Sequence, residues 1–191
     1  MTGLELPGFA DPVTGAQTSF RALLDAMSRP GTQHEVAPLR PPPPLGPAMA
    51  AALLTLVDRD TPLWLDDAST AAREWLLFHC GAQVTADPAA AAFAAAIALP
   101  SLGRFNPGSD AAPEESATII LQVPELGSGE SYRLSGPGLA APSLLRIQGL
   151  PADFPAQWGV NHALYPCGID LILCSGSRLC ALPRSVSIEK V

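Results

Sequence analysis

The sequence predicts an α/β protein in which helices pack against a β-sheet, and three stretches carry that prediction. Residues 169–174 are short, almost wholly apolar and rich in strand formers, which is typical of a strand covered on both faces. The connector 175–177 and the returning stretch 178–182 indicate a β-hairpin that ends at Pro183, because proline cannot donate to a sheet ladder. Residues 118–123 (TIILQV) predict a second buried strand. We expect the hairpin to form the centre of the sheet.

Length and composition bound the class of protein. A chain of 191 residues fits one domain, and a domain of this size buries about 70% of the surface of its unfolded chain. The net charge of −7 argues against nucleic acid as a partner, because nucleic acid requires a basic face. No apolar run approaches the ~20 residues of a membrane span, and the start (MTGLELPGFADP) does not resemble a secretory leader. We therefore expect a single cytoplasmic domain, 1–191, with no membrane partner.

The first predicted helix begins at Thr14 or Thr18 and ends at Ser28, before a Pro-Gly stop. Its apolar residues follow helical spacing, so we expect them to face inward: Phe20, Leu23, Leu24 and Met27. Residues 32–37 are predicted to be extended. A proline-rich spacer at about 38–47 follows, which we interpret as a stiff, partly exposed loop rather than a ligand for a signalling domain.

A second helix is predicted from Pro47 to about Val57, apolar nearly all round and therefore buried. After a short strand at 61–65, Ser69 or Thr70 is expected to cap a third helix that ends near Cys80, with Gly81 as its left-handed stop. Its inward face is expected to carry Ala72, Trp75, Leu76 and Cys80. We interpret His79, in the last turn, as a partner of the helix dipole rather than a metal ligand.

Residues 85–99 fit either a helix or a strand, because the alanine run favours a helix whereas the flanking turn signals favour a strand. The strand 118–123 is expected to form a hairpin, through 124–129, with a strand at 131–135. The Gly-Ser-Gly at 127–129 is interpreted as a turn, since a phosphate-binding P-loop requires a Gly-Lys-Ser or Gly-Lys-Thr ending. Residues 144–147 are a further strand candidate, and 151–163 predict a helix with Phe154 and Trp158 inward.

Asp170 is the one charged residue in the apolar strand. Because burying an unpaired carboxylate is costly, we expect backbone amides or an arginine to satisfy it, and a catalytic acid or base is the alternative. The cysteines form no paired-cysteine motif, so core packing is favoured over disulfides or a metal site; they are Cys80, Cys167, Cys174 and Cys180.

Lysine usage excludes one class of cofactor chemistry. Ten of the eleven basic residues are arginine, and the sole lysine is Lys190, one residue from the C-terminus. Pyridoxal phosphate enzymes hold their cofactor through a lysine fixed within a site, and a frayed tail is a poor place for one. We therefore expect no pyridoxal phosphate. The sequence singles out no catalytic, cofactor-binding or metal-binding residue.

Four blocks of sequence taken together resemble a known family. They are FRALLDAMSRPG (20–31), LLTLVDRDTPLWL (53–65), PEESATIILQV (113–123) and PCGIDLILCSGSRLCALPRS (166–185). In this order they resemble the PhnH family, the H subunit of the bacterial carbon–phosphorus lyase core complex. The resemblance implies a mixed β-sheet flanked by helices, similar to the large domain of pyridoxal-phosphate-dependent transferases but without the cofactor. It also implies that 91–97 are extended.

The resemblance further implies a non-catalytic subunit with specific partners. Family members form a homodimer when isolated and join the G, I and J subunits in the cell. With G, I and an ATPase-like L subunit, the complex makes a ribose 1-phosphonate 5-triphosphate from ATP and a phosphonate. The radical cleavage belongs to the J subunit and its iron–sulfur cluster, for which this chain lacks a cysteine triad.

A different class of function remains an alternative at this point. The chain would then be a stand-alone transferase that binds a phosphorylated ligand through arginines at element ends or turns. The candidates are Arg21, Arg29, Arg59 and Arg184. We favour the structural interpretation, in which each arginine is solvated or ion-paired, with Asp58 or Asp60 as a partner for Arg59.

Overall fold

A computed structural model describes residues 6–191, in which a large mixed sheet and a small antiparallel sheet are flanked by helices. The α-helices of this part of the chain are α1 (Pro12–Ser28), α2 (Pro47–Leu56), α3 (Arg73–Cys80) and α4 (Phe154–His162). The strands are β1 (His34–Glu35), β2 (Pro62–Leu65), β3 (Gln83–Thr85), β4 (Phe93–Ala96), β5 (Thr118–Gln122), β6 (Glu125–Ser135), β7 (Ser143–Gln148), β8 (Asp170–Ser175), β9 (Arg178–Leu182) and β10 (Ser187–Lys190). Between residues 6 and 191 no helix is both long and apolar enough to cross a membrane.

The large sheet has the strand order β1-β9-β8-β5-β4-β2-β3. Strands β8, β5, β4, β2 and β3 run parallel, and β9 is antiparallel to both of its neighbours. The predicted β8–β9 hairpin is therefore confirmed. Its predicted place at the centre of the sheet is wrong, because β5 holds that position and only the two-residue β1 lies outside β9.

The large sheet separates two apolar cores. The first contains residues of α1, α2 and α3 together with Ile120 and Ile172. The second lies against the small sheet and α4 and receives the alternate residues Ile119 and Leu171. Since side chains of a strand alternate between its faces, two covered faces require an apolar residue at nearly every position. This explains the continuous apolar runs of β5 and β8.

The predicted hairpin between 118–123 and 131–135 does not form. Strand β5 pairs with β4 and β8, whereas β6 pairs with β7 and β10 in the small sheet. The reason lies in the patterns: β5 is apolar on both faces, but β6 alternates between buried and exposed residues. The Gly-Ser-Gly interrupts the β6–β7 register between Leu126 and Glu130 as a bulge, with Gly127 at φ 98° and Gly129 at φ 85°.

Helix α1 begins earlier than predicted and turns a different face inward. Asp11, not Thr14 or Thr18, caps it by accepting hydrogen bonds from the amides of Val13 and Thr14 at 3.1 and 3.2 Å. Leu23 is buried as predicted, but Phe20 is 50% and Leu24 is 58% exposed. Small residues (Ser19, Ala22 and Ala26) are buried instead, and they let the helix approach the sheet closely.

The next elements agree with prediction except at one cap. Helix α2 is buried from Ala48 to Leu53, and 91–97 contain the strand β4, as the family resemblance implied. A short 3-10 turn (Ser69–Ala72) precedes α3. The capping side chain is that of Asp66, not Ser69 or Thr70 as predicted, and its carboxylate accepts a hydrogen bond from the Ser69 amide at 2.7 Å. Gly81 ends α3 in the left-handed conformation with φ 67°. Trp75 and Leu76 are buried with Ala72, whereas Cys80 is half-buried.

Helix α4 buries Phe154 and Trp158 as predicted, and the proline-rich spacer contributes to the first core. Leu39 and Leu45 of the spacer belong to the first core. The spacer is thus only partly exposed, and its two buried leucines attach it to the rest of the fold.

Candidate functional site

The carboxyl ends of parallel strands are where α/β proteins usually bind ligands, above all where connections from neighbouring strands leave in opposite directions. Here that point lies between β2, which leads to β3, and β4, which leads to β5. Asp66 follows β2, and its carboxylate accepts hydrogen bonds from the amides of Ile97 at 2.7 Å and Ala98 at 3.4 Å, just beyond β4. Together with the Ser69 amide, these bonds close the crevice from within the chain.

The carboxyl ends of β5 and β8 are closed in the same manner. Gln122, the last residue of β5, accepts the Gly46 amide and donates to the Pro44 carbonyl at 3.0 Å. Gly176, in the turn after β8, accepts the Ala48 amide at 2.8 Å. These amides lie at the start of α2, and free amides at a helix start are a common phosphate site. In this chain protein groups occupy them.

A cavity of about 510 Å³ remains open at the ends of β2 and β3. Its walls include Trp64 and two arginines, Arg73 and Arg104. The guanidinium carbon of Arg104 lies 5.4 Å from the centroid of the Trp64 ring. Neither arginine carries a signal in the sequence, because no motif joins them and only the fold brings them to one cavity.

Asp170 forms a nearly buried ion pair with Arg184, as the structural interpretation predicted. The Asp170 carboxylate accepts the Arg184 backbone amide at 2.7 Å and its Nε at 3.1 Å, and Nη2 lies 2.5 Å away. The remaining Nη1 donates to the Pro113 carbonyl at 2.7 Å. With its donors engaged in this way, Arg184 clamps the start of β8 to neighbouring loops.

The four arginines proposed as ligand contacts do not form one site. Arg59 and Arg184 lie near the amino ends of β2 and β8, which are three strand positions or about 14 Å apart. Arg21 and Arg29 are exposed, on α1 and just after it. Within residues 6–191, Arg59 makes no ion pair with Asp58 or Asp60.

The cysteines pack as predicted. Cys174 belongs to the first core and Cys180 to the second, on opposite faces of the sheet. Burial raises the pKa of the Cys180 thiol to about 12 and that of Cys174 further still. All four thiols are free, and in the described part of the chain no three His, Cys, Asp or Glu side chains converge as metal ligands.

Lys190 differs from expectation in its surroundings, whereas His79 lies in the last turn of α3 as predicted and makes further contacts there. Lys190 is the last residue of β10 rather than part of a frayed tail, and its Nζ lies 2.7 Å from Glu130 Oε2. This places the sole lysine on the small sheet. The His79 Nε2 lies 3.1 Å from the Leu6 carbonyl, and its ring centroid is 4.7 Å from that of Trp75, so it also ties the N-terminal segment to α3.

Among the large apolar side chains that the described residues leave exposed, two groups stand out, and the others lie elsewhere: Leu77, Phe78, Leu144 and Val191. Val13, Phe20 and Leu24 share one face of α1, since they are spaced by seven and four residues, and we call them the α1 stripe. Val160, Leu164 and Tyr165, at the end of α4 and beyond it, form the α4 patch. The α4 patch borders a cavity of about 380 Å³ whose walls include Leu102 and Phe105. Exposed apolar side chains grouped in this way are typical of interaction surfaces.

Comparisons with known proteins agree on one family. Residues 7–189 match the family described as bacterial phosphonate metabolism protein (PhnH). The chain is 38% identical over 188 residues to the alpha-D-ribose 1-methylphosphonate 5-triphosphate synthase subunit PhnH of Rhizobium meliloti (strain 1021), covering 95% of this chain and 94% of the relative. It is 34% identical over 179 residues to the putative C-P lyase subunit protein HtxG of Stutzerimonas stutzeri, covering 91% and 85%. The chain belongs to the PhnH family of bacterial phosphonate metabolism proteins.

Proposed function

We propose that this chain is a non-catalytic subunit of a carbon–phosphorus lyase system, required with partner subunits to make a ribose 1-phosphonate 5-triphosphate from ATP and an alkylphosphonate. The names of its two relatives support this role, since one is a subunit of such a synthase and the other a putative C-P lyase subunit. Identities of 38% and 34%, each over at least 85% of both chains, support a shared role.

The crevice between β2 and β4 and the carboxyl end of β5 are closed by groups of the chain itself, and this closure is the observation that carries the non-catalytic part of the proposal. Asp66 and Gln122 stand where an α/β enzyme would place groups that hold its substrate. Both instead bind backbone groups of this chain. The catalytic interpretation of Asp170 is weakened in the same way, because Arg184 and a backbone amide engage its carboxylate.

The partners we propose are the G, I and J subunits, with the L subunit in the functional system, and a second copy of the chain when it is isolated. The α1 stripe is the surface we assign to these contacts. Phe20 and Leu24 are half exposed on a helix whose opposite face is anchored in the first core. A partner can therefore cover the α1 stripe without rearranging the fold.

We also propose that the large sheet is related to that of the pyridoxal-phosphate-dependent transferases without the cofactor. Support comes from its mixed character, with β9 antiparallel among parallel strands and helices on the faces. The position of Lys190 in β10, outside the large sheet, agrees with a fold that no longer holds this cofactor.

Co-expression with the G and I subunits tests the assignment. A tagged wild-type chain is expected to retain both subunits through affinity purification and gel filtration. The double variant F20D/L24D is expected to fold, because both side chains are exposed, but to lose one or both partners. Thr18→Asp adds a charge to an exposed position on another face of α1 and serves as the matched control. If the double variant retained the G and I subunits as well as the control does, the assignment of the α1 stripe to the interface would be wrong.

A further inference from the structure

We propose that the cavity at the carboxyl ends of β2 and β3 binds the phosphate or phosphonate group of a small anionic ligand, held by Arg73 and Arg104. The cavity volume of about 510 Å³ lies in the range of small-molecule sites. Its position is the part of the carboxyl edge that the chain leaves open, beside the crevice closed by Asp66. The inference concerns the isolated chain and stands apart from its assembly with partners.

The charge of the cavity is the first argument. Arg73 comes from the start of α3 and Arg104 from the short turn 102–104, so two separate elements direct cationic residues to one cavity. Among the described residues neither arginine makes an ion pair, so no carboxylate of the chain engages its guanidinium directly. The cavity wall therefore holds two guanidinium groups against one carboxylate, that of Asp67, and this local excess of positive charge in a chain of net charge −7 favours an anion.

The packing of Arg104 is the second argument. Its guanidinium lies over the ring of Trp64, which is 9% exposed and packs edge-on against Phe105 at 5.4 Å between centroids. Stacking on an aromatic face orients a guanidinium and leaves its edge donors free. Such a group meets two oxygens of a tetrahedral phosphorus anion at once, which an ammonium group does less well.

The other polar groups at the cavity define the ligand further. The Thr70 hydroxyl already donates to the Asp66 carbonyl at 3.1 Å, so the arginines are the charged donors. Asp67 also lines the cavity and opposes an anion. The site should therefore bind a compact group close to the arginines, and removing the Asp67 charge should strengthen binding.

Isothermal titration calorimetry on the isolated chain tests this directly, with inorganic phosphate, methylphosphonate and ATP titrated separately at low salt. We expect binding of at least one of them at up to millimolar concentration, and the strongest of the three identifies the source of the group. Arg73→Ala and Arg104→Ala should each weaken it about tenfold, because each removes a charge-assisted contact. Asp67→Asn should tighten it, and Arg146→Ala, an exposed change in β7, should leave it unchanged.

Two results would overturn the proposal. One is the absence of binding heat for all three anions at millimolar concentration. The other is binding that survives in both arginine variants, which would place the anion elsewhere. Circular dichroism of each variant confirms that the fold persists, and the exposed positions of Arg73 and Arg104 make that the expected outcome.

Discussion

The Asp66 carboxylate accepts a hydrogen bond of 2.7 Å from the backbone amide of Ile97, thirty-one residues further along the chain. This bond joins the carboxyl ends of β2 and β4 and fills the crevice between them with a group of the protein itself. The same carboxylate caps the turn before α3 through the Ser69 amide. One side chain thus fixes two strand ends and a helix start, and its role is structural.

Substitution of Asp66 by alanine should therefore destabilise the fold. The change leaves the amides of Ser69 and Ile97 without their charged acceptor, and bonds of this kind contribute about 1.5–3 kcal/mol each. We expect a loss of about 3 kcal/mol in the free energy of unfolding, the lower end of the sum of the two bonds because Asp66 is only half-buried, measured by urea denaturation. Asp67→Ala, the exposed neighbour, is the control and should change stability little. Equal effects of the two variants would contradict the role assigned to Asp66.

Breaking the ion pair of Asp170 and Arg184 should be costly. Removing one partner of a buried pair leaves the other charge uncompensated, which typically costs about 3–5 kcal/mol. We expect that loss for Arg184→Met in urea denaturation. The double variant D170N/R184M should recover part of it, because no charge is then left buried. A double variant as unstable as the sum of the two single variants would show that the groups do not act as a pair.

Two adjacent leucines test which face of α1 is inward. Leu23 is 4% exposed and lies in the first core, whereas Leu24 is 58% exposed. Leu23→Ala should lower the free energy of unfolding by about 2–4 kcal/mol through lost burial and a cavity, and Leu24→Ala should change it by less than about 0.5 kcal/mol. Thermal and urea unfolding give both values. A larger loss of stability for Leu24→Ala than for Leu23→Ala would contradict this orientation of α1 and would place Leu24 on the inward face.

The buried thiols should make stability fall at high pH. Burial raises the folded-state pKa of Cys174 and Cys180 above the ordinary value of 9.0, to about 12 for Cys180. Above pH 9 the unfolded chain therefore releases these protons first, and unfolding becomes more favourable as pH rises. Each thiol should contribute a slope of up to about 1.4 kcal/mol per pH unit.

The double variant C174A/C180A isolates this effect, because the other groups that titrate at alkaline pH remain in place. Its free energy of unfolding should fall less steeply between pH 9 and 11 than that of the wild type. Equal slopes for the two proteins would contradict this prediction, because they would mean that the pKa of each thiol is the same in the folded and the unfolded chain. Slow reaction of both thiols with a soluble disulfide reagent before unfolding is the corresponding kinetic expectation.

Sequence patterns predicted most of the elements but not how they are shared between sheets. The apolar run of β8 and the turn after it identified the hairpin, because covered strands have a clear composition. The wrong pairing of β5 with β6 has a physical cause: a short Gly-rich connector fits a hairpin, and only the contrast between a two-faced and a one-faced strand argues against it.

The site was harder to predict than the fold. Asp170 could be interpreted from its apolar surroundings, since a buried carboxylate requires partners. Asp66, Arg73 and Arg104 carry no local signal, because their roles arise from contacts with distant segments. Periodicity gives large apolar residues the most weight, whereas close packing on the sheet places the small residues Ala22 and Ala26 on the inward face of α1.

When a phosphonate replaces the base of ATP to give a ribose 1-phosphonate 5-triphosphate, adenine is released. Adenine release from ATP in the presence of methylphosphonate therefore tests most directly whether the chain acts through its contacts with partner subunits rather than through its own chemistry. We predict release by the reconstituted G, H, I and L subunits with this chain as H, none when this chain is omitted, and none from this chain alone. Adenine released by the purified chain alone would contradict the account, as would full release by the G, I and L subunits without it.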